Sequence, residues 1–73
     1  MNGYRIIAKV SDDFQSIRKG DIAVMNPPEN GGKAGHIQAW DGSNWVSGFV
    51  QRAFWPGPAY RREEPDYEIY RRL

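Results

Sequence analysis

The sequence contains no cysteine. That excludes disulfides and cysteine-bound zinc, the two staples on which many small domains depend. It also excludes a cysteine nucleophile among these residues. Charge of one sign is equally scarce: ten Lys and Arg stand against nine Asp and Glu, for a formal net charge of +1. A dedicated nucleic-acid or membrane-surface protein carries a clear basic excess, so neither role is expected. No stretch approaches the roughly 20 apolar residues of a membrane span. Met1-Asn2-Gly3-Tyr4-Arg5 leads only into Ile6-Ile7-Ala8, whereas a secretory leader needs an apolar region of about 7–15 residues. As written, the chain is expected to stay in the cytoplasm, with export as part of a larger product left open. One His and scattered carboxylates do not make a metal shell, so no metal and no cofactor are expected.

What remains is aromatic. Three Trp, four Tyr and three Phe in 73 residues predict a core built from large rings. The length allows one small domain, spanning 1–73, which buries only about 60% of the surface its unfolded chain exposes.

Period-2 alternation is the dominant pattern. Tyr4 to Val10 reads as a strand, with Tyr4, Ile6 and Ala8 on one face. Ser11-Asp12-Asp13 is a turn with a helix N-cap signature, followed by Phe14 and Ile17, and Lys19-Gly20-Asp21 limits any helix there to one turn. Ile22 to Met25 is apolar on both faces, as in a central strand. Asn26 to Gly35 is a Pro- and Gly-rich loop. Gly35 to Gln51 reads as a hairpin around Asp41-Gly42-Ser43-Asn44. A two-residue Gly42-Ser43 turn sets Trp40 opposite Trp45, Gln38 opposite Ser47 and His36 opposite Phe49. Pro56-Gly57 fits the middle of a type II turn, with Gly57 at positive φ. Arg61 to Pro65 reads as a polar connector, and Tyr67 to Arg71 as a last strand with Tyr67, Ile69 and Arg71 on one face. The fold class is therefore all-β: about five short antiparallel strands in a curled sheet or small open barrel, with at most one helical turn.

His36 is the only histidine, and imidazole is the side chain that ordinarily exchanges protons near neutral pH. A strand-edge histidine stacked on an aromatic ring is the plain reading; a catalytic or binding histidine is the sharper one. Both stand at this point. Gln38 and Ser47 lie near it on the expected hairpin face, where either can orient an imidazole or simply face solvent. A Ser-His-Asp arrangement through Ser47 or Ser43 lacks the G-x-S-x-G elbow. Gly31-Gly32-Lys33 lacks the rest of a phosphate-loop pattern. Arg52, Arg61, Arg62, Arg71 and Arg72 alternate with Glu63, Glu64, Asp66 and Glu68, which describes a solvated face better than a stacking surface for single-stranded nucleic acid or sugar.

Three stretches resemble a known family. They are Gly20-Asp21-Ile22-Ala23-Val24, then Gly35-His36-Ile37-Gln38-Ala39-Trp40-Asp41-Gly42, then Trp45-Val46-Ser47-Gly48-Phe49-Val50-Gln51 with Phe54-Trp55-Pro56-Gly57-Pro58. Together they resemble the C-terminal half of papain-like cysteine amidases of the NlpC and CHAP group, which cut peptide or amide bonds in bacterial peptidoglycan. The resemblance covers about Gly20 to Tyr70. It implies that His36 is the general base. It implies a nucleophilic Cys at the N-terminus of a helix that would precede this chain, where the helix dipole and the imidazolium lower the thiol pKa. It also implies a third polar residue that orients the imidazole. Relatives of this type have Asp where this chain has Gly48, so that role passes to Ser47, Gln38 or Gln51.

The resemblance thus implies an amidase-like β domain without its nucleophile, inactive alone, that binds peptidoglycan stem peptides or a protein partner. The binding face would comprise His36, Gln38, Gln51, Trp40, Trp45 and Trp55. Loss of the helical half would leave apolar sheet exposed, which implies a covering partner or a homo-oligomer. The second reading is half of a split or truncated amidase, with His36 as base once a Cys-bearing partner is present. The third is a small SH3-like interaction module.

Overall fold

Ile22–Met25 (β2) is apolar on both faces and paired along both edges. It lies between β3 (His36–Trp40) and β5 (Tyr67–Arg72), antiparallel to each. β1 (Tyr4–Ala8) pairs with the far edge of β5, and β4 (Trp45–Val46) with the far edge of β3. The result is one antiparallel five-stranded sheet of order β1-β5-β2-β3-β4. The computed structural model describes residues 3–8, 17–29 and 35–73. Among these, β1 and β4 remain edges and the sheet does not close into a barrel.

Cross-strand register sorts the side chains onto two faces, since directly opposed residues point the same way. Ala23 stands opposite Gln38 and Ile69, and Met25 opposite His36 and Tyr67. This is the core face. Ile22 stands opposite Ala39 and Tyr70, Val24 opposite Ile37 and Glu68, and Ile6 opposite Tyr70. That second face is also largely apolar, but Ile6 is 44% and Ile37 56% exposed.

The core is a run of rings. Ala23, Met25, Trp45, Phe54, Tyr67 and Ile69 are buried. Phe54 sits at the centre, 5.2 Å from Trp45, 5.0 Å from Trp55 and 4.7 Å from Tyr67 between ring centroids. Trp40 packs on Trp45 at 5.3 Å. Edge-to-face and tilted pairs of this kind add about 0.5–1.5 kcal/mol each beyond area burial. In a chain without disulfides, these contacts are what the small core can draw on.

A buried ion pair fixes the head of β2. Asp21, 1% exposed, accepts from Arg71 Nε at 3.0 Å and from a second guanidinium nitrogen at 2.8 Å, and from the Arg18 backbone N–H at 2.8 Å. Burial alone would raise the Asp21 pKa. The bonds from Arg71 and Arg18 outweigh it and hold the carboxyl below its ordinary value of 3.8. Gly20, at φ +95°, turns the chain so that its N–H reaches the Trp40 carbonyl at 2.7 Å.

The hairpin turn forms as its residues predict. Gly42 takes φ +103°, and the Asp41 carboxylate accepts from the Ser43 and Asn44 N–H groups at 2.8 and 2.6 Å. Those two bonds, the Asn44 one foremost, lower the Asp41 pKa. Trp40 faces Trp45 as expected. The expected pairs of Gln38 with Ser47 and His36 with Phe49 do not form, because β4 ends at Val46. The chain bends there: Ser47 N–H donates to the Phe49 carbonyl and Val46 bridges to Val50.

The Pro56-Gly57 expectation is also overturned. Gly57 has φ −172°, an extended conformation, and caps a helix, α1 (Pro58–Glu63), with Pro58 in its first turn. Proline suits that position because its missing N–H would be unpaired there anyway. Glu64 ends the helix in the left-handed region at φ 46°, its N–H returning to the Tyr60 carbonyl at 2.8 Å. The helical turn expected after Ser11 and the end of the first strand at Lys9 and Val10 lie outside the described residues.

Candidate functional site

His36 opens β3 opposite Met25, on the core face, and is half-buried. Gly35 sets how closely it enters: a Cβ there would collide with the Met25 carbonyl oxygen. Only glycine lets β3 approach β2 this tightly at its first residue.

The bend after β4 supplies the partner of His36. Gln51 N–H bonds back to the Trp45 carbonyl at 2.8 Å, which returns the Gln51 side chain beneath β3, where it is 4% exposed. Its Oε1 lies 3.1 Å from His36 Nε2. Its amide nitrogen donates to Gln38 Oε1 at 2.9 Å and to the Ala53 carbonyl at 3.1 Å. Gln38, 2% exposed, donates in turn to the Phe54 carbonyl at 2.9 Å.

This chain of bonds has one direction. A backbone carbonyl can only accept, so the Phe54 oxygen takes the Gln38 amide N–H and turns Gln38 Oε1 toward Gln51. That oxygen takes the Gln51 N–H, which leaves Gln51 Oε1 facing the imidazole. An amide oxygen cannot donate, so His36 Nε2 carries the proton and donates it. In the neutral ring, Nδ1 then carries the lone pair. Tyr60, delivered by α1, lies 5.9 Å from the imidazole between ring centroids and borders its other side. The arrangement fixes the ring's tautomer and orientation from behind.

The other candidates from the sequence fall elsewhere. Ser47 Oγ is buried with no hydrogen-bond partner among the described residues, so it does not hold His36. Gly48 is exposed, and a Cβ built there meets no atom within 4 Å. Trp45 is 6% exposed and packs between Trp40 and Phe54; burial gives its ring to the core and leaves little surface for a ligand. Trp40 and Trp55 are half-buried against the same cluster. Gln51, grouped with the tryptophans on the sequence as a binding residue, is spent on His36 and Gln38. Tyr60 and the Phe54 carbonyl escaped the sequence reading. The only signal for Tyr60 was Pro58 as a helix opener, and a main-chain acceptor has no sequence signal. Among the described residues no group of three or more acidic or histidine side chains could hold a metal ion. No helix among them is long and apolar enough to cross a membrane.

No protein-family model and no curated protein matches the chain. Solved structures do. One chain of the native type VI effector–immunity complex Tae3–Tai3 from Ralstonia pickettii is 36% identical, with a TM-score of 0.78. The match covers 97% of this chain and 55% of that one. In the selenomethionine form of the same complex the values are 38% identity, a TM-score of 0.70, and 88% and 54% coverage. The protein is thus similar in sequence and fold to a chain of a type VI effector–immunity complex, and spans about half of that chain's length.

Proposed function

We propose that this chain is the β half of a papain-like cysteine amidase directed at peptidoglycan, inactive by itself and completed by a protein partner that brings the thiol. The observation that carries the reading is the directed chain from Phe54 through Gln38 and Gln51 to His36. A histidine stacked for packing needs no such support. Three buried amide-type groups arranged to protonate Nε2 and free Nδ1 are what a general base requires. The resemblance of Gly20 to Tyr70 to papain-like amidases, and the likeness to a chain of an effector–immunity complex, support the same reading.

The chemistry then follows from the ring. A partner thiol placed at Nδ1 loses its proton to that nitrogen, and the thiolate attacks the amide carbonyl carbon. The C–N bond breaks, and the leaving amine takes the proton back from the imidazolium. The acyl group stays on sulfur as a thioester. Water, deprotonated by the same Nδ1, releases it as a carboxylic acid. Throughout, Gln51 Oε1 holds the Nε2 proton and keeps the ring from turning.

The test uses purified peptidoglycan stem peptides. They are incubated with the chain alone, and with a cysteine-bearing polypeptide encoded beside it. Amine release is expected only in the mixture and is lost in His36→Ala. Absence of release in both overturns the proposal, as does release by the chain alone.

A further inference from the structure

The strand that carries His36 has one edge paired throughout and one that opens beside the histidine. On the first, residues 36–39 of β3 face residues 22–25 of β2. Beyond them Trp40 N–H donates to the Asp21 carbonyl at 2.9 Å, and Gly20 N–H donates to the Trp40 carbonyl at 2.7 Å. On the second, β4 matches only Ala39 and Trp40. Main-chain groups of successive strand residues point to alternate edges. Trp40 points to β2, so Gln38 does too, while Ala39 and Ile37 point the other way. Asp41 belongs to this second set and donates to the Asn44 carbonyl at 3.0 Å, and Ala39 meets Val46. Ile37 would meet Gly48 next, but there the chain has bent, with Ser47 N–H donated to the Phe49 carbonyl. Among the described residues no main-chain group pairs with the Ile37 N–H or C=O on that edge. A groove fills the gap, walled by residues 35–39 and 46–49.

We infer that this open edge is a subsite for the peptide substrate. An extended stem peptide lies beside Ile37 as a short antiparallel strand and exchanges two main-chain hydrogen bonds with it. The inference rests on the amidase-half reading and names how that site holds its peptide. The chemistry of the edge calls for a peptide backbone, since an outward N–H and C=O on one strand residue match those of an extended chain. The length calls for a short one. The Ala39–Val46 pair closes the opening one step beyond Ile37, whereas a strand from another protein or a second copy ordinarily pairs over about five or six residues. Register then ties the peptide to His36. Opposed residues share a face, so the peptide residue opposite Ile37 turns its side chain toward Ile37 and Phe49. Those two are 56% and 58% exposed, and an apolar side chain suits them. The next peptide residue stands opposite His36 and turns to the face that carries the imidazole.

The test reads amide hydrogen exchange in the chain, alone and with a synthetic peptidoglycan stem peptide. In the free chain the Ile37 amide is expected to exchange at least about tenfold faster than that of Gln38, which is turned toward β2. Stem peptide at about 10 mM should slow Ile37 at least about threefold and leave Gln38 unchanged. Methylating the peptide nitrogen that faces the Ile37 carbonyl should abolish this protection, whereas methylating the next nitrogen, which faces away, should not. Ile37→Pro removes only an outward N–H, so the sheet is expected to form while peptide-induced amide shifts at Gly35 and Phe49 are lost; Ile37→Val should keep them. If Ile37→Pro does not fold, the methylated peptides decide the matter on the native chain. An Ile37 amide as protected as Gln38 in the free chain overturns the inference, as does a stem peptide that gives no protection or equal effects of methylation at every nitrogen. Protection by acetyl-Ala-Val-Ala-amide but not by stem peptide makes the edge a seat for a protein strand and overturns it. A dimer in sedimentation whose dissociation exposes the Ile37 amide makes the occupant a second copy and also overturns it. Because exchange reads no amine release, a stem peptide that protects Ile37 without being cut leaves this subsite standing while the amidase reading falls.

Discussion

The two faces of one sheet carry similar residues and meet different fates. On the core face, Met25, Tyr67 and Ile69 are sealed beneath Phe54 and Trp45. On the other, Ile6 and Ile37 stand open. An antiparallel sheet that ends at water ordinarily alternates apolar and polar residues, whereas one with both faces apolar is a middle layer. This sheet has the sequence of a middle layer and, among the described residues, the cover of an outer one.

Truncations on the two sides of the sheet should have very different costs. Phe54→Ala removes the ring at the centre of the aromatic run and should cost about 3–5 kcal/mol, read as a loss of midpoint in urea. In a domain of this size that removes most of the stability.

Next in size is Asp21→Asn. The side chains of Asp21 and Arg71 are 2% and 18% exposed, so the substitution leaves a largely buried guanidinium without this carboxylate, at a cost of about 3 kcal/mol. The same pair gives a pH dependence. The folded Asp21 pKa lies below 3.8, so its contribution is complete above the unfolded value and is lost as pH falls from about 4 through the folded pKa. Urea midpoints between pH 5 and pH 2 should fall in the native chain, and this component should vanish in Asp21→Asn.

Gln51→Ala should cost less, about 1–3 kcal/mol, because it leaves Gln38 Oε1 and His36 Nε2 without their partner. The smallest effect belongs to the open face: Ile37→Ala should lie within about 0.5 kcal/mol of the native chain. If Ile37→Ala cost as much as Phe54→Ala, the two faces would not differ as described.

Much of this contrast was legible in the sequence. The strands followed from alternation, and the centrality of Ile22 to Met25 from its two apolar faces. The Trp40–Trp45 register followed from the Asp41–Asn44 turn, whose side-chain bonds and positive-φ glycine are local. What stayed hidden depended on distance along the chain. Val46 to Val50 continues to alternate, so nothing local marks the end of β4; the bend is held by bridges that close only in the folded state. Helix α1 buries no residue, so it lacks the apolar period that reveals helices. Pro56-Gly57-Pro58 suits a type II turn as well as it suits a helix start. At the site, His36 was conspicuous as the only histidine. Gln51 reaches it across fifteen residues, and its role depends on an orientation set by the Phe54 carbonyl, which no residue type encodes.

His36 is held with its proton on Nε2 and its lone pair on Nδ1. A long-range proton–nitrogen spectrum of the chain, recorded at about pH 9 where imidazole is ordinarily neutral, reads this directly. The Nε2–H tautomer is expected in the native chain and a mixture of tautomers in Gln51→Ala. A native imidazole protonated on Nδ1, or a spectrum unchanged by Gln51→Ala, would contradict it.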